Sequence, residues 1–224
     1  MVDSPPLALA YSADPEAWAR AVLDGRIESS RAATDAAMVE AVLGGLPPGG
    51  RVLDVGCGEG WLSRAFGALG ASVHGIDAAP ELIAAAESTG GATFDCLGYA
   101  EAAADPERLG GPYDAAVFNF SILDRRARDI LRVTASRLEA GGRLLIQTVH
   151  PATVAPPYTE GWRAANRTSS SHTLDASAEW YFRPFGTWVR ELDAAGLGLC
   201  GCVEPLDDDQ LPISMILIAQ PLAG

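Results

Sequence analysis

The sequence predicts one α/β domain organised around a mostly parallel sheet, and three observations carry that expectation. Apolar strand-like runs alternate with helical patterns from Arg51 to about Gln147, the arrangement that produces parallel strands joined by crossover helices. The run Val52-Leu53-Asp54-Val55 leads into three alternating glycines, Gly56, Gly58 and Gly60, and then into an amphipathic stretch with Leu62, Ala65, Phe66 and Leu69 on one face. Finally, 224 residues with 48% hydrophobic and 20% charged content are enough for one substantial core.

Ahead of the core, Asp14-Pro15-Glu16 reads as an N-cap with proline at the first helical position, and Ser30 as the cap of a segment running to Leu43. Pro47-Pro48-Gly49-Gly50 punctuates the entry to the first strand. Strands are expected at 51–55, 72–76, 93–97, 113–118 and 143–149, with helices between them at 60–69, 80–88, 101–108 and 124–139. The last of these helices carries Ala127, Ile130, Leu131, Thr134 and Leu138 at helical spacing and stops at Gly141-Gly142. From His150 to Ser177 no period is visible, and loops this long in a compact domain are usually functional or disordered. Pro184 opens a helix with Phe185, Trp188, Val189, Leu192 and Ala195, closed by Gly196, and two strands follow at 197–203 and 213–219.

Glycines that alternate between a strand and a helix let the backbone turn tightly and approach a ligand, because no Cβ intervenes. A dinucleotide loop needs Gly-x-Gly-x-x-Gly, and Trp61 stands where its third glycine would be, which disfavours a nicotinamide oxidoreductase. Asp54 is poorly placed beside a pyrophosphate and well placed to receive an ammonium or a hydroxyl.

The formal net charge is −13; all 16 basic residues are Arg and Lys is absent. An acidic surface repels phosphate backbones, so no nucleic-acid partner is expected. No apolar run approaches the roughly 18–20 residues of a membrane span. The start Met1-Val2-Asp3-Ser4-Pro5-Pro6 has neither a basic region nor an apolar signal core. A cytoplasmic protein without a membrane partner is expected. Cys57, Cys96, Cys200 and Cys202 form no disulfide or metal-ligand pattern, and Cys200 and Cys202 read as small buried residues on a strand. Asp207-Asp208-Asp209 reads as a solvated turn, so no metal is expected.

The pattern Asp-x-Gly-x-Gly-x-Gly at residues 54–60 resembles motif I of the class I S-adenosylmethionine-dependent methyltransferases. The order of elements over roughly residues 30–220 is similar to their fold. The resemblance implies a Rossmann-like seven-stranded sheet in the order 3-2-1-4-5-7-6, the last strand antiparallel, with helices on both faces. It also implies an N-terminal helical cap over 1–46 and a methyltransferase domain over 47–224, with a substrate-side lid at about 150–183. S-adenosylmethionine is then the cofactor and S-adenosylhomocysteine the product.

Residue by residue, the resemblance assigns cofactor contacts to Asp54, Gly56, Cys57, Gly58 and Gly60 in the loop. Asp77, with Ala78 beside it, ends the second strand, where the family binds both ribose hydroxyls; the other reading is a cap on the helix at Pro80. Tyr99-Ala100-Glu101 falls around the adenine, although the family usually has an acid followed by a small apolar residue there. Asn119 ends the fourth strand, facing the methionine part. Arg31 either meets the cofactor carboxylate or serves in a surface ion pair. Asn119-Phe120-Ser121-Ile122 departs from the Asn-Pro-Pro-Tyr motif of amino-group methylating enzymes, which argues against such acceptors.

Towards the C-terminus, Gln147-Thr148-Val149-His150-Pro151, Gly161-Trp162-Arg163, Trp180-Tyr181-Phe182-Arg183-Pro184 and Glu204-Pro205 resemble a branch of small bacterial methyltransferases near the ubiquinone-type O-methyltransferases. This implies a small-molecule acceptor, methylated on oxygen. A hydroxyl acceptor needs a base, and His150, at the carboxyl end of the fifth strand, is the candidate; its alternative role is to fix the turn into Pro151. Trp162, Arg163, Tyr181 and Arg183 either line a pocket for a planar or anionic acceptor or pack a lid on the sheet. A different class of function keeps the same fold: a cofactor-binding protein that catalyses a non-methylating reaction, or a binding module.

Overall fold

The computed structural model describes residues 29–164 and 179–222. The segment at Asp14 lies outside the described residues, as does the side chain of Arg31. The elements are α1 (Ser29–Leu43), β1 (Arg51–Val55), α2 (Trp61–Ala68), β2 (Ser72–Asp77), α3 (Pro80–Thr89), β3 (Thr93–Cys96), α4 (Tyr99–Ala104), β4 (Tyr113–Asn119), α5 (Ala127–Ala135), β5 (Leu138–Val149), β6 (Gly161–Ala164), β7 (Glu179–Phe182), α6 (Phe185–Ala194), β8 (Leu197–Val203) and β9 (Ser214–Pro221). Seven strands form one sheet in the order β3-β2-β1-β4-β5-β9-β8, and β6 and β7 form a separate antiparallel pair. Counted within the sheet alone the order is 3-2-1-4-5-7-6, with the seventh strand antiparallel to the fifth.

Side chains alternate across each strand, and this sorts the core into two layers. Leu53, Val55, Ile76, Ala116, Phe118, Leu144, Ile146 and Leu217 face α4, α5 and α6, meeting Ala102, Ile130, Leu131, Trp188 and Leu192. Val52, Val73, Ala115, Val117, Leu145 and Ile216 face α1 and α2, meeting Met38, Val42, Leu62 and Phe66. Burial on both faces is why the central strands read as continuous apolar runs rather than alternating ones. Two polar side chains of β5 also hold α1. The Arg143 guanidinium donates to the carbonyls of Ala41 (3.2 Å) and Val42 (2.7 Å), and Gln147 Nε2 donates to the Thr34 carbonyl (3.0 Å).

Several expectations are corrected in detail. The helix expected at 101–108 is α4, which stops at Ala104, followed by a separate 3-10 turn, Pro106–Leu109. Proline keeps the residue before it out of the helical region, and Asp105 sits at φ −137°, ψ 84°. The helix expected at 124–139 is shorter: Leu138 already belongs to β5, paired with Tyr113 across a bulge. Within the irregular stretch, Gly161–Ala164 pairs with Glu179–Phe182 as a hairpin. Cys200 and Cys202 are exposed rather than buried, and the ladder shifts register between Leu199 and Gly201. Asp207 closes its turn by accepting from the backbone N–H groups of Asp209 and Leu211. Among the described residues no helix is long and apolar enough to cross a membrane.

Candidate functional site

The loop after β1 turns on three left-handed glycines, Gly56 (φ +79°), Gly58 (φ +58°) and Gly60 (φ +80°). They are required for different reasons. A Cβ on Gly56 would lie 2.5 Å from Ser121 Cβ and 2.9 Å from the Tyr99 hydroxyl, and one on Gly60 2.7 Å from Phe94 Cζ. At Gly58 the nearest atom would be Leu82 Cδ1 at 3.8 Å, so there only the backbone conformation demands glycine. The loop is anchored by the N–H groups of Gly56 and Cys57, which both donate to the Ile76 carbonyl. The Cys57 side chain is buried against Gly75, and burial pushes its thiol pKa up.

Asp77 ties this loop to the next helix. Its Oδ2 accepts from the Gly58 N–H (3.0 Å) and its Oδ1 from the Ala79 N–H (2.9 Å), at the start of α3. These two bonds close the turn ahead of α3, whose N-cap is Ala79 and which carries no side-chain cap. Asp54 points to the α2 side, 1% exposed, and its Oδ2 accepts from Ser63 Oγ at 2.7 Å. The hydroxyl it receives is thus one of the chain's own. Burial pushes its pKa up to about 7, opposed in part by the Ser63 hydrogen bond and reinforced by the charges of Asp77 and Glu59.

Tyr99 lies edge-on to Phe118 with ring centroids 6.2 Å apart, and its hydroxyl donates to the Ser121 carbonyl (3.2 Å). Burial raises its phenol pKa. Ser121 Oγ in turn donates to the Val55 carbonyl at 2.6 Å, so the strand ends of β1 and β4 and the start of α4 meet at one point. Ala78 and Ala100 are exposed beside this point. Glu101 turns back on its own helix, accepting from the Gly98 N–H (3.0 Å) and pairing with Arg108 (3.8 Å).

Asn119 and Gln147 are register partners on β4 and β5, so their side chains point to the same face. Asn119 Oδ1 and Gln147 Oε1 are both buried without a hydrogen-bond partner among the described residues. The Gln147 amide is oriented by its nitrogen, which donates to the Thr34 carbonyl and to Ser214 Oγ. Gln147 was not singled out from the sequence; a lone glutamine between Leu144-Leu145-Ile146 and Val149 was the signal available.

His150 has both ring nitrogens engaged. Nδ1 accepts from the Ala152 N–H (3.1 Å), which leaves the ring proton on Nε2, facing Glu204 Oε1 at 2.7 Å. Both contacts are those of the alternative role, fixing the turn into Pro151. A His150→Gln variant is expected to lower Tm while the pH dependence of any turnover keeps its shape; a lost limb of that profile would restore the base role.

The proposed acceptor residues separate into two groups. Trp162 is exposed and stacks edge-on with Tyr181 (5.4 Å). Arg163 donates to the carbonyls of Pro157 (3.0 Å) and Thr159 (2.7 Å), which makes it a clasp for the preceding loop. Tyr181 and Arg183 instead line a cavity of about 490 Å³ beside the start of α5. The Tyr181 N–H donates to the Leu123 carbonyl (3.0 Å), and Arg183 Nη2 donates to the Asp124 carbonyl. The hairpin is thereby fastened to the segment that leaves β4.

A glycine loop at the carboxyl edge of a 3-2-1-4-5-7-6 sheet, tied to an acid at the end of the second strand, defines the class I S-adenosylmethionine-dependent methyltransferase architecture. A family profile described as "Methyltransferase domain" matches residues 30–198. The chain belongs to that family. It is similar to the ubiquinone biosynthesis O-methyltransferase of Xanthomonas campestris pv. campestris (strain B100), 39% identical over 110 residues, covering 46% of this chain and 44% of the relative. It is also similar to a ribosomal RNA small subunit methyltransferase C of Chromohalobacter salexigens, 38% identical over 111 residues, covering 46% and 32%. The chain thus spans less than half the length of the curated relatives it matches. Among solved structures, an S-adenosylmethionine-dependent methyltransferase from Clostridium acetobutylicum superposes with a TM-score of 0.66 at 10% identity, over 95% of this chain and all of that one.

Proposed function

We propose that the protein moves the methyl group of S-adenosylmethionine to a small-molecule acceptor, on oxygen. The observation that carries this reading is the Gly56–Gly60 loop held to Asp77 at the same sheet edge as two buried acceptors without a donor among the described residues. Buried polar atoms are rarely left unpaired, and a cofactor bearing an ammonium supplies the missing donors. The bound cofactor brings a methyl group already activated on a sulfonium. The chain's part is then to hold and orient. Gly56, Cys57, Gly58 and Gly60 give the backbone room. Asp77, at the end of the second strand, receives the ribose hydroxyls, and Asn119 and Gln147 receive the ammonium. Tyr99, Ala100 and Glu101, with Ala78, border the adenine, and Arg31 on α1 is the counterion for the cofactor carboxylate.

Division of the chain at residue 46, with the 150–183 segment as an acceptor-side lid, belongs to the same proposal. Support for oxygen and for a small acceptor comes from the relatives named for ubiquinone biosynthesis and from the net charge of −13, which disfavours a nucleic-acid surface. With His150 engaged, the reacting oxygen is one that ionises near neutrality without a protein base, as in an acidic phenol or a carboxylic acid.

Calorimetric titration with S-adenosylmethionine and S-adenosylhomocysteine tests the reading. Wild type is expected to bind both, and Asp77→Ala to weaken both by at least about tenfold, since it removes the ribose acceptors and releases the Gly58 N–H. If wild type takes up neither ligand, the loop has another use and the methyltransferase activity is withdrawn.

A further inference from the structure

The cavity beneath the hairpin carries a chemical signature of its own. Four of its lining residues are arginines: Arg125, Arg126, Arg128 and Arg183. Its acids are already paired, Glu191 with Arg128 (3.2 Å), Asp129 with Arg132 (3.2 Å) and Glu160 with Arg190 (4.0 Å). Arg126 lies 3.8 Å from Asp124. Arg125 and Arg183 have no carboxylate partner among the described residues.

Arg183 is the more telling of the two. It is 2% exposed, and its Nη1 is buried without a hydrogen-bond partner among the described residues. The guanidinium lies between two rings, 5.0 Å from the centroid of Tyr181 and 4.8 Å from that of Trp188, so its plane is held by stacking rather than by an anion. Glu191, Asp124 and Glu160 act on it only from beyond ion-pair distance, and a buried charge without a directly paired counterion is costly.

The position agrees with the chemistry. α5 follows a sheet strand and α6 precedes one, so both begin at the carboxyl edge, the edge of the glycine loop. Arg126 and Thr187, at the starts of these two helices, both line the cavity, which adds the positive ends of two helix dipoles. The chain between the two places is short. Ser121 touches the glycine loop and Asp124 holds Arg183, and three residues span at most about 11 Å.

Resting on the methyltransferase reading above, we propose that this cavity binds a carboxylate carried by the methyl acceptor, paired with Arg183 and Arg125, so that the substrate class is a small aromatic carboxylic acid. A guanidinium pairs well with a carboxylate, and the Tyr181 ring, which lines the cavity, suits a flat ligand.

The test uses the full chain saturated with S-adenosylhomocysteine, titrated with 3,4-dihydroxybenzoate and with 3,4-dihydroxybenzamide, its neutral counterpart. The acid is expected to bind at least about tenfold tighter than the amide. Arg183→Lys and Arg125→Ala are each expected to reduce that preference. Arg125→Ala is chosen because it removes an unpaired side chain outside the sheet core and should leave Tm and S-adenosylhomocysteine affinity unchanged. Equal binding of acid and amide, binding of neither, or a preference that survives in both variants overturns the carboxylate site. Because S-adenosylhomocysteine affinity is measured on the same samples, failure of the cofactor reading would be seen separately.

Discussion

At pH 8 the Asp54→Asn variant is expected to be more stable than wild type, and at pH 4 the two are expected to be alike. Asp54 is buried under α2, and its carboxyl is pushed up to about 7 from an ordinary value near 4. Between those values the folded chain holds a proton that the unfolded chain has released, so stability falls as pH rises through this window and levels off above it. At about 1.36 kcal/mol per pKa unit the full effect is on the order of 4 kcal/mol. For a chain of this size that corresponds to a difference in Tm on the order of 10 °C. Asparagine keeps an oxygen for Ser63 Oγ and removes the charge. Thermal melts of both proteins from pH 4 to 8 give the answer, and two parallel curves would show that Asp54 does not titrate in this range.

The second large effect separates the loop glycines from one another. Gly56→Ala is expected to cost about 3 kcal/mol, combining the left-handed backbone penalty with overpacking. Its new methyl would meet Ser121 Cβ at 2.5 Å, and Ser121 cannot retreat without breaking its hydrogen bond to the Val55 carbonyl. Gly58→Ala meets nothing closer than 3.8 Å and is expected to cost only the conformational part, about 1–2 kcal/mol. Urea unfolding of the two variants measures the difference directly. Equal losses would mean that Ser121 yields easily and that the loop is less tightly packed against β4 than its distances state.

What the sequence revealed and what it hid have physical causes. The first strand is found at Arg51–Val55, as expected, because its apolar run is bounded by a Pro/Gly cluster on one side and the glycine loop on the other. Asp77 stood out because an acid closes an apolar strand, and the structure gives it backbone partners at Gly58 and Ala79. Pairing of β6 with β7 was not legible: the two four-residue strands are separated by more than a dozen residues, and no turn signal links them. The early start of β5 was hidden because Leu138 continues the helical spacing of α5. Arg183 and Gln147 were hard to weigh for another reason. Their significance lies in atoms left without partners, and a missing hydrogen bond leaves no pattern in a sequence.

The grip of β5 on α1 bears on how the domain comes apart. Arg143 takes the last carbonyls of the helix and Gln147 takes one near its start, while Met38 and Val42 sit in the same layer as Leu145. An N-terminal helix secured only by an apolar stripe would fray early and exchange its amide hydrogens fast. With these contacts the helix is expected to open together with the middle of the sheet, its slowest amides exchanging in step with those of β5 in a hydrogen-exchange measurement. Loosening α1 would uncover Gln147 and Asn119 beside it, so the packing of α1 bears on access to this end of the sheet.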